Sequence, residues 1–354
     1  MEGILLRFKS FTFSMVFTLV AISAIAQDSL VTAKRGDGIL SMLRSQGVNP
    51  YDVYDDFIAM NIENLRDSVH LYEGRVYRIP VIKNQKVALT KEAAEQAEEV
   101  KKISGKEFAI FGEDHDSVIA KSEKLKGAVY YLVSGHGGPD PGAMAVYGGR
   151  SIAEDEYAYD ITLRLAKELL SHGATVYIII RDKDDGIRDE RVLKIDHDEV
   201  AYGDKTIPLN QVARLKQRVD IVNKLYKKNK GKYQRLIVTH VDSRSKGQNI
   251  DVFFYHHAKS KNGKQLAESV HQTFQKKYKK YQPNRKYSGT FQDRTSLYLV
   301  KKTHPAMTFI EIGNIQNKKD QRRILDPENR QALAKWIGEG VLLDFEKGEI
   351  GPIR

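Results

Sequence analysis

The sequence of 354 residues contains no cysteine. It therefore forms no disulfide, offers no thiolate as a nucleophile or metal ligand, and has no site for a lipid-modified N-terminal cysteine. It also lacks a P-loop, a Gly-x-Ser-x-Gly segment and a His-Glu-x-x-His segment. The chemistries that depend on these motifs have no support in this chain.

Long apolar runs are absent except at the N-terminus, where Arg7 and Lys9 precede the apolar segment Phe11–Ala26. A basic start, an apolar core of this length and a small-x-small ending predict a cleavable signal peptide over residues 1–26. The alternative is an uncleaved anchor, although the run is shorter than the roughly 20 residues that a spanning helix needs. We therefore expect an exported protein without a membrane span after cleavage.

The formal net charge is +11, which suggests an anionic partner. Nucleic acid is one candidate, but export argues against it. Part of the excess lies in Lys276–Lys280, within a helix predicted to begin near Gln265. This basic run predicts a solvated helix face, and contact with anionic envelope polymers is the alternative.

Two predicted buried strands end in histidine. Val129–Val133 precedes the glycine-rich segment Ser134–Ala143, which contains His136. Leu236–Thr239 directly precedes His240. The glycines let the backbone turn sharply, so the first imidazole can face a ligand. A metal ligand is one interpretation, and a hydrogen-bonded structural histidine is the other.

Two glutamates complete the candidate site. Glu154 begins a predicted amphipathic helix, where a first-turn carboxylate can also simply complement the helix dipole. Glu311 follows the apolar strand Met307–Ile310, a position that is costly unless the carboxylate is paired or faces a polar cleft. Two histidines, one carboxylate and an open fourth position form the ligand set of catalytic zinc hydrolases, which also need an acid or base.

These segments resemble the zinc-dependent N-acetylmuramoyl-L-alanine amidases, whose catalytic domain is called amidase type 3. The resemblance covers roughly residues 127–345 and rests on four blocks in the same order: Gly135–Ala143, Glu154–Leu165 with Gly173-Ala174, Thr239–Ser243 and Pro305–Asn314. It implies that Zn²⁺ is held by His136, Glu154 and His240, with Glu156 as a nearby competitor for the ligand role. It also implies that Glu311 is the catalytic residue and that Arg218 braces the site or binds substrate, while a solvent-facing arginine is the alternative.

The activity implied by the resemblance is hydrolysis of the amide bond between N-acetylmuramic acid and L-alanine of the stem peptide, by a water activated at Zn²⁺. Peptidoglycan is then the substrate, in the periplasm or cell wall, during wall remodelling or daughter-cell separation. Two alternatives remain: a non-catalytic peptidoglycan-binding or regulatory protein, and a zinc peptidase that cuts within the stem peptide.

Before the catalytic domain, residues 31–81 predict a strand, two helices and a closing strand. This order resembles a LysM module, with Arg35-Gly36-Asp37 and Tyr72–Pro80 as the matching pieces. Packing on the enzyme without sugar binding is the alternative. Residues 82–126 read as a charged linker or helix.

Residues 127–348 alternate between predicted strands and helices, including strands at Thr175–Ile180, Ile250–Tyr255 and Ser296–Val300 and helices at Leu209–Tyr226 and Asn329–Leu343. The alternation predicts an α/β fold with a mostly parallel central sheet flanked by helices. Strand ends meet at one edge of such a sheet, so distant residues can converge there. An insert at Asp182–Pro208 could cover the site or accept an activator protein, and its acidic residues around His197 predict a solvated loop.

Overall fold

The computed structural model describes residues 29–34, 37–65, 70–80, 105–242 and 251–349. They form two compact units, one within residues 29–80 and one within residues 105–349. The predicted signal peptide lies outside the described residues, as do Arg35-Gly36 and the charged run 91–102. No helix among the described residues is long and apolar enough to cross a membrane.

The first unit follows the predicted order of strand, helix, helix and strand. Its elements are β1 (Ser29–Thr32), α1 (Ile39–Ser45), α2 (Pro50–Asn61), a 3₁₀ turn (Ile62–Asn64) and β2 (Val76–Ile79). The two strands pair antiparallel, and Phe57 and Tyr77 are fully buried between the helices and the strands. Asn61 ties α2 to β2, because its amide exchanges two 2.8 Å hydrogen bonds with the backbone of Arg78.

The second unit is built on a six-stranded sheet. The strands of the whole unit, which include those of smaller sheets, are β3 (Gly105–Glu107), β4 (Ser117–Ile119), β5 (Val129–Ser134), β6 (Met144–Tyr147), β7 (Arg150–Ala153), β8 (Thr175–Ile178), β9 (Ile180–Arg181), β10 (Val200–Ala201), β11 (Lys205–Thr206), β12 (Gln234–Asp242), β13 (Phe253–His256), β14 (Thr290–Asp293) and β15 (Ala306–Asn314). The central sheet has the order β14-β13-β15-β12-β5-β8. Every neighbouring pair in it is parallel except β13 and β15. The predicted α/β class with a mostly parallel sheet is confirmed.

Helices cover both faces of the sheet. They are α3 (Glu154–Ser171), α4 (Gln211–Lys228), α5 (Lys261–Tyr281), α6 (Tyr298–Lys302), α7 (Lys318–Leu325) and α8 (Pro327–Glu349). Side chains of β5 alternate between the faces, so Tyr131 and Val133 pack in one apolar cluster with Val222 of α4. Helix α8 packs against both α3 and α5, and α3 and α5 also contact strands of the sheet. Both faces are buried, as expected for parallel strands.

A fully buried ion network joins α3 to α8. Asp160 accepts hydrogen bonds from Arg164 at 2.8 Å and from Arg330 at 2.6 Å. Asp160 and Arg330 are both 0% exposed, so neither charge has access to water. Each charge therefore depends on the other for its solvation.

The structure differs from prediction in three places. Ser296–Val300 was expected to be a strand, and this prediction is wrong because the chain begins α6 at Tyr298. A short apolar run buries equally well in either structure, and periodicity alone does not separate them. The described part of the expected linker, residues 105–126, contains the β3–β4 hairpin, and Lys121 donates from its backbone to the carbonyl of Ser171 at 2.7 Å. The β6–β7 hairpin, β14 and α7 were not predicted.

Candidate active site

Three parallel strands bring the predicted residues to one edge of the sheet. Ser134, at the end of β5, lies opposite Thr239 of β12, and His240 lies opposite Glu311 of β15. Positions 71 and 105 residues apart in the sequence thus become neighbours, as predicted from strand ends.

The two histidines converge on one carboxylate. His136 Nε2 lies 3.3 Å from Glu154 Oε2, and His240 Nδ1 lies 2.9 Å from Glu154 Oε1. The imidazole rings meet edge to face with centroids 4.9 Å apart. Together these three side chains form a group whose donor atoms all lie within 4.8 Å of one another. Two imidazoles and one carboxylate match the donor set of a catalytic zinc site.

Backbone groups fix the orientation of Glu154. Its Oε1 accepts a hydrogen bond from the amide of Val241 at 3.0 Å, and its Oε2 accepts one from Ala143 at 3.0 Å. Glu154 is also the first residue of α3, so its negative charge lies at the positive end of that helix. Each carboxylate oxygen thus faces one histidine and one amide.

Two glycines of the Gly135–Ala143 segment leave room for the histidine rings. A Cβ on Gly135 would lie 2.4 Å from ring atoms of His240, and one on Gly142 would lie 2.7 Å from the ring of His136. His136 itself has a φ of 60°, which few residues other than glycine adopt. The turn is therefore shaped around the imidazoles.

Asp140 lies against the ring nitrogen of His136 that faces away from Glu154. Its Oδ2 lies 3.1 Å from His136 Nδ1 and accepts a 2.7 Å hydrogen bond from Arg214. Asp140 thus lies against one ring nitrogen of His136, and Glu154 lies against the other. Sequence reasoning did not assign Asp140 or Arg214, although Asp140 belongs to the recognised motif.

Arg218 is 4% exposed, so the alternative of a solvent-facing arginine is wrong. Its guanidinium donates to the carbonyl oxygen of His136 and lines a cavity that opens over the two histidines. Burial lowers the pKa of Arg218 to about 10. This contact braces the turn that carries the histidine.

The charges in the site reinforce one another. Burial opposes ionisation of Glu154, but hydrogen bonds from His136 and His240 outweigh it and hold its pKa below the usual range. Burial also opposes protonation of His136, while hydrogen bonds to Asp140 and Glu154 raise its pKa to about 10. Burial lowers the pKa of His240, which favours the neutral, ligating form of that ring.

A cavity of about 440 Å³ opens over this group. Glu311, which is half-buried, lines this cavity. Leu215, Leu297 and Tyr298 also line it. The carboxylate of Glu311 thus shares one water-accessible space with the His136, Glu154 and His240 group.

Glu156 faces away from the histidines. It forms a 2.9 Å ion pair with Arg188 and accepts a hydrogen bond from the amide of Asp196 at 3.1 Å.

The prediction that the insert is a solvated acidic loop is wrong in part. Glu199 is only 5% exposed and accepts a hydrogen bond from the amide of Gly138 at 2.6 Å. Burial raises the pKa of Glu199 to about 7.

Comparison with known proteins decides the family. A profile of the N-acetylmuramoyl-L-alanine amidases, Amidase_3, matches residues 131–342, which include every residue of the candidate site. The chain belongs to this amidase family. It is an N-acetylmuramoyl-L-alanine amidase, and its substrate is peptidoglycan. The family is zinc-dependent, in keeping with the His136, Glu154 and His240 group.

A germination-specific N-acetylmuramoyl-L-alanine amidase of Bacillus subtilis is 24% identical to this amidase over 241 residues, which are 67% of this chain and 88% of the relative. Among solved structures, the CwlD amidase of Clostridioides difficile, in complex with the GerS lipoprotein, is 20% identical with a TM-score of 0.47. The match covers 63% of this chain and all of that one. The amidase AmiC2 of Nostoc punctiforme is 22% identical with a TM-score of 0.43, over 63% of this chain and 97% of that one.

Proposed function

We propose that this amidase cleaves the bond between N-acetylmuramic acid and L-alanine at a zinc site made by His136, Glu154 and His240, with Glu311 as general base and acid. The observation that carries the proposal is that two imidazole nitrogens face the two oxygens of one buried carboxylate, beside a cavity that Glu311 lines. The donor set and its spacing fit Zn²⁺, and the Nδ1 of His136 is already held by Asp140. When bound there, zinc would polarise the scissile carbonyl and make water more acidic.

Glu311 performs the proton transfers in this mechanism. Its carboxylate takes a proton from the attacking water and delivers it to the departing amide nitrogen, so one residue serves both steps. Asp140, itself paired with Arg214, lies 3.1 Å from Nδ1 of His136 and would favour a proton on that nitrogen when Nε2 binds the metal. Arg218 positions the same turn through the carbonyl of His136.

Digestion of purified sacculi with and without a chelator tests this function. Mass spectrometry should find stem peptides that begin with L-alanine, and the chelator should abolish them. Truncated stem peptides would instead indicate a zinc peptidase. No new products at any zinc concentration would indicate a binding protein without catalysis.

We also propose that residues 31–81 form a LysM-like module that binds glycan strands of peptidoglycan. The support is the order of its elements, its antiparallel β1–β2 pair and the half-exposed Tyr72 beside Arg75, whose guanidinium lies 4.9 Å from the ring centroid. Calorimetric titration of the full-length protein with oligomers of N-acetylglucosamine should detect binding. Absence of heat at millimolar sugar would leave the unit with a packing role only.

The remaining proposals concern location and regulation. Residues 1–26 act as a signal peptide that directs the amidase to the periplasm or cell wall, residues 82–126 link the two domains, and residues 127–348 form the catalytic domain. Daughter-cell separation or wall remodelling is the role, with the insert at Asp182–Pro208 as the place for an activator protein. N-terminal sequencing of the exported protein should begin at Gln27, and a mature chain beginning at Met1 would contradict export by cleavage.

A further inference from the structure

A second group of acidic side chains lies beside the zinc site but includes none of its three residues. Asp155 and Glu156 come from the first turn of α3, and Glu199 comes from the insert. One oxygen of each lies within 4.8 Å of the others. The three residues are only 1%, 2% and 5% exposed. Three carboxylates this close and this buried repel one another strongly unless a cation or protons compensate.

The cationic and donor groups around them leave one oxygen unmatched. Glu156 accepts from Arg188, which also pairs with Asp185, and Glu199 accepts from the amide of Gly138. In the part of the chain that the structure describes, Asp155 Oδ1 accepts only from the adjacent backbone amide, at 3.0 Å. Its Oδ2 is buried and has no hydrogen-bond donor among the described residues. A nine-tenths buried carboxylate oxygen without a donor indicates a ligand at this point.

A neighbouring group of carboxylates in the insert shares Glu199 with these three residues. Asp182 and Asp196 place carboxylate oxygens within 4.8 Å of one another and of Glu199. One oxygen of Asp196 is likewise buried with no donor among the described residues. The candidate metal ligands are thus all carboxylate oxygens, which favours a hard cation over zinc. Ca²⁺ binds oxygens at about 2.3–2.6 Å, so two ligands of one ion lie at most about 5 Å apart. The oxygens of Asp155, Glu156 and Glu199, all within 4.8 Å of one another, meet this limit.

We propose that Asp155, Glu156 and Glu199 form a Ca²⁺ site separate from the zinc site. This acidic cluster joins the start of α3 to the insert. Through Glu199 it also holds the amide of Gly138, two residues beyond His136. A bound Ca²⁺ therefore fixes the insert against the turn that carries a zinc ligand.

The test uses the full-length protein, stripped of metal and reloaded with one equivalent of zinc. Tb³⁺ is the luminescent probe for the Ca²⁺ site, because the hydroxyl of Tyr159 accepts a hydrogen bond from the amide of Asp182 and places a tyrosine beside the cluster. We expect sensitised emission at one Tb³⁺ per chain, displaced by Ca²⁺ with a Kd of about 10⁻⁵–10⁻³ M. Ca²⁺ at about 100 times its Kd should raise the Tm by about 5–10 °C.

Two variants and two controls make the result specific. Glu199→Gln and Asp155→Asn should lose the emission and the Tm shift, yet be at least as stable as the wild type without Ca²⁺, because each removes a repelling charge. Asp204→Asn, an exposed change on the same insert, and His240→Ala, in the zinc site, should keep both responses.

Three results would overturn the proposal. The first is no emission and no Tm shift in the wild type up to about 10 mM Ca²⁺. The second is a response that survives in both cluster variants or disappears in His240→Ala. The third is a cluster variant less stable than the wild type without Ca²⁺, which would mean that internal hydrogen bonds hold the carboxylates. None of these readouts depends on amidase activity, so they stand apart from the test on sacculi.

Discussion

Gly135→Ala should damage the zinc site without introducing any new charge. The added methyl carbon would lie 2.4 Å from Cε1 and Nδ1 of His240, where ordinary contact begins near 3.4 Å. Either the ring or the strand must therefore move by about 1 Å. The strand is held by the 2.7 Å hydrogen bond from Gly135 to Thr239, and the ring is stacked on Phe309 with centroids 4.5 Å apart.

A ligand displaced by about 1 Å lies far outside the tolerance of about 0.2 Å for a zinc bond. Substitution of residues that only hold the metal ligands in place costs about 10–100-fold in metal affinity. We therefore expect Gly135→Ala, which displaces a ligand itself, to weaken zinc binding by at least about 100-fold. The overpacking should also cost about 1–3 kcal/mol of stability. Zinc affinity is measured by competition with a chromophoric chelator, and stability by urea unfolding.

Gly148→Ala is the matched control. Gly148 has a φ of 57°, so alanine strains the backbone there, but nothing lies within 4 Å of the added atom. We expect this variant to lose some stability and to keep wild-type zinc affinity. If Gly135→Ala also bound zinc like the wild type and hydrolysed sacculi at the normal rate, the assignment of His240 as a ligand would be refuted.

Three further predictions concern charge. Glu311→Gln should keep one zinc per chain by atomic absorption but lower turnover on sacculi by about 10²–10⁴-fold, and normal turnover would remove Glu311 from the mechanism. In the metal-free protein the pKa of His136 is raised to about 10 by Asp140 and Glu154 despite burial, so its stabilising contribution is complete below about pH 6.5 and is lost as the pH rises toward 10. The Tm of chelator-treated protein should fall over that range, and Asp140→Asn should reduce the fall; an equal fall in both would contradict this origin. Asp160→Asn should cost about 3–5 kcal/mol in urea unfolding, because it leaves the buried guanidinium of Arg330 without its carboxylate and that of Arg164 with Asp189 alone, and a loss below about 1 kcal/mol would show that the network contributes little.

The sequence predicted that four residues would meet at one edge of the sheet, and the structure places His136, Glu154 and His240 in one group beside a cavity that Glu311 lines. His136, His240 and Glu311 each follow a short apolar run that favours a buried strand, and strand ends of a parallel sheet meet at one edge. Glu154 was identifiable because helical periodicity begins there. Their roles came from the resemblance, since a histidine at a strand end has structural uses as well.

The partners of these residues were harder to predict. Arg214 and Arg218 lie on α4, whose periodicity indicates which side is buried but not that two arginines lie on it. The insert looked like a solvated loop, because dense charge usually marks exposed chain. Instead Glu199 is buried against α3, a contact that depends on the tertiary path of the chain and leaves no local signal. The strand prediction for Ser296–Val300 was wrong for a different reason, because five apolar-rich residues are too few for periodicity to separate a strand from a helix.

Anomalous diffraction from crystals of the zinc-loaded protein, recorded at the zinc absorption edge, tests the central claim most directly. The account predicts one strong peak per chain, about 2.0–2.2 Å from a nitrogen of His136, a nitrogen of His240 and an oxygen of Glu154. A peak that leaves out either histidine, or that lies instead among Asp155, Glu156 and Glu199, would contradict it.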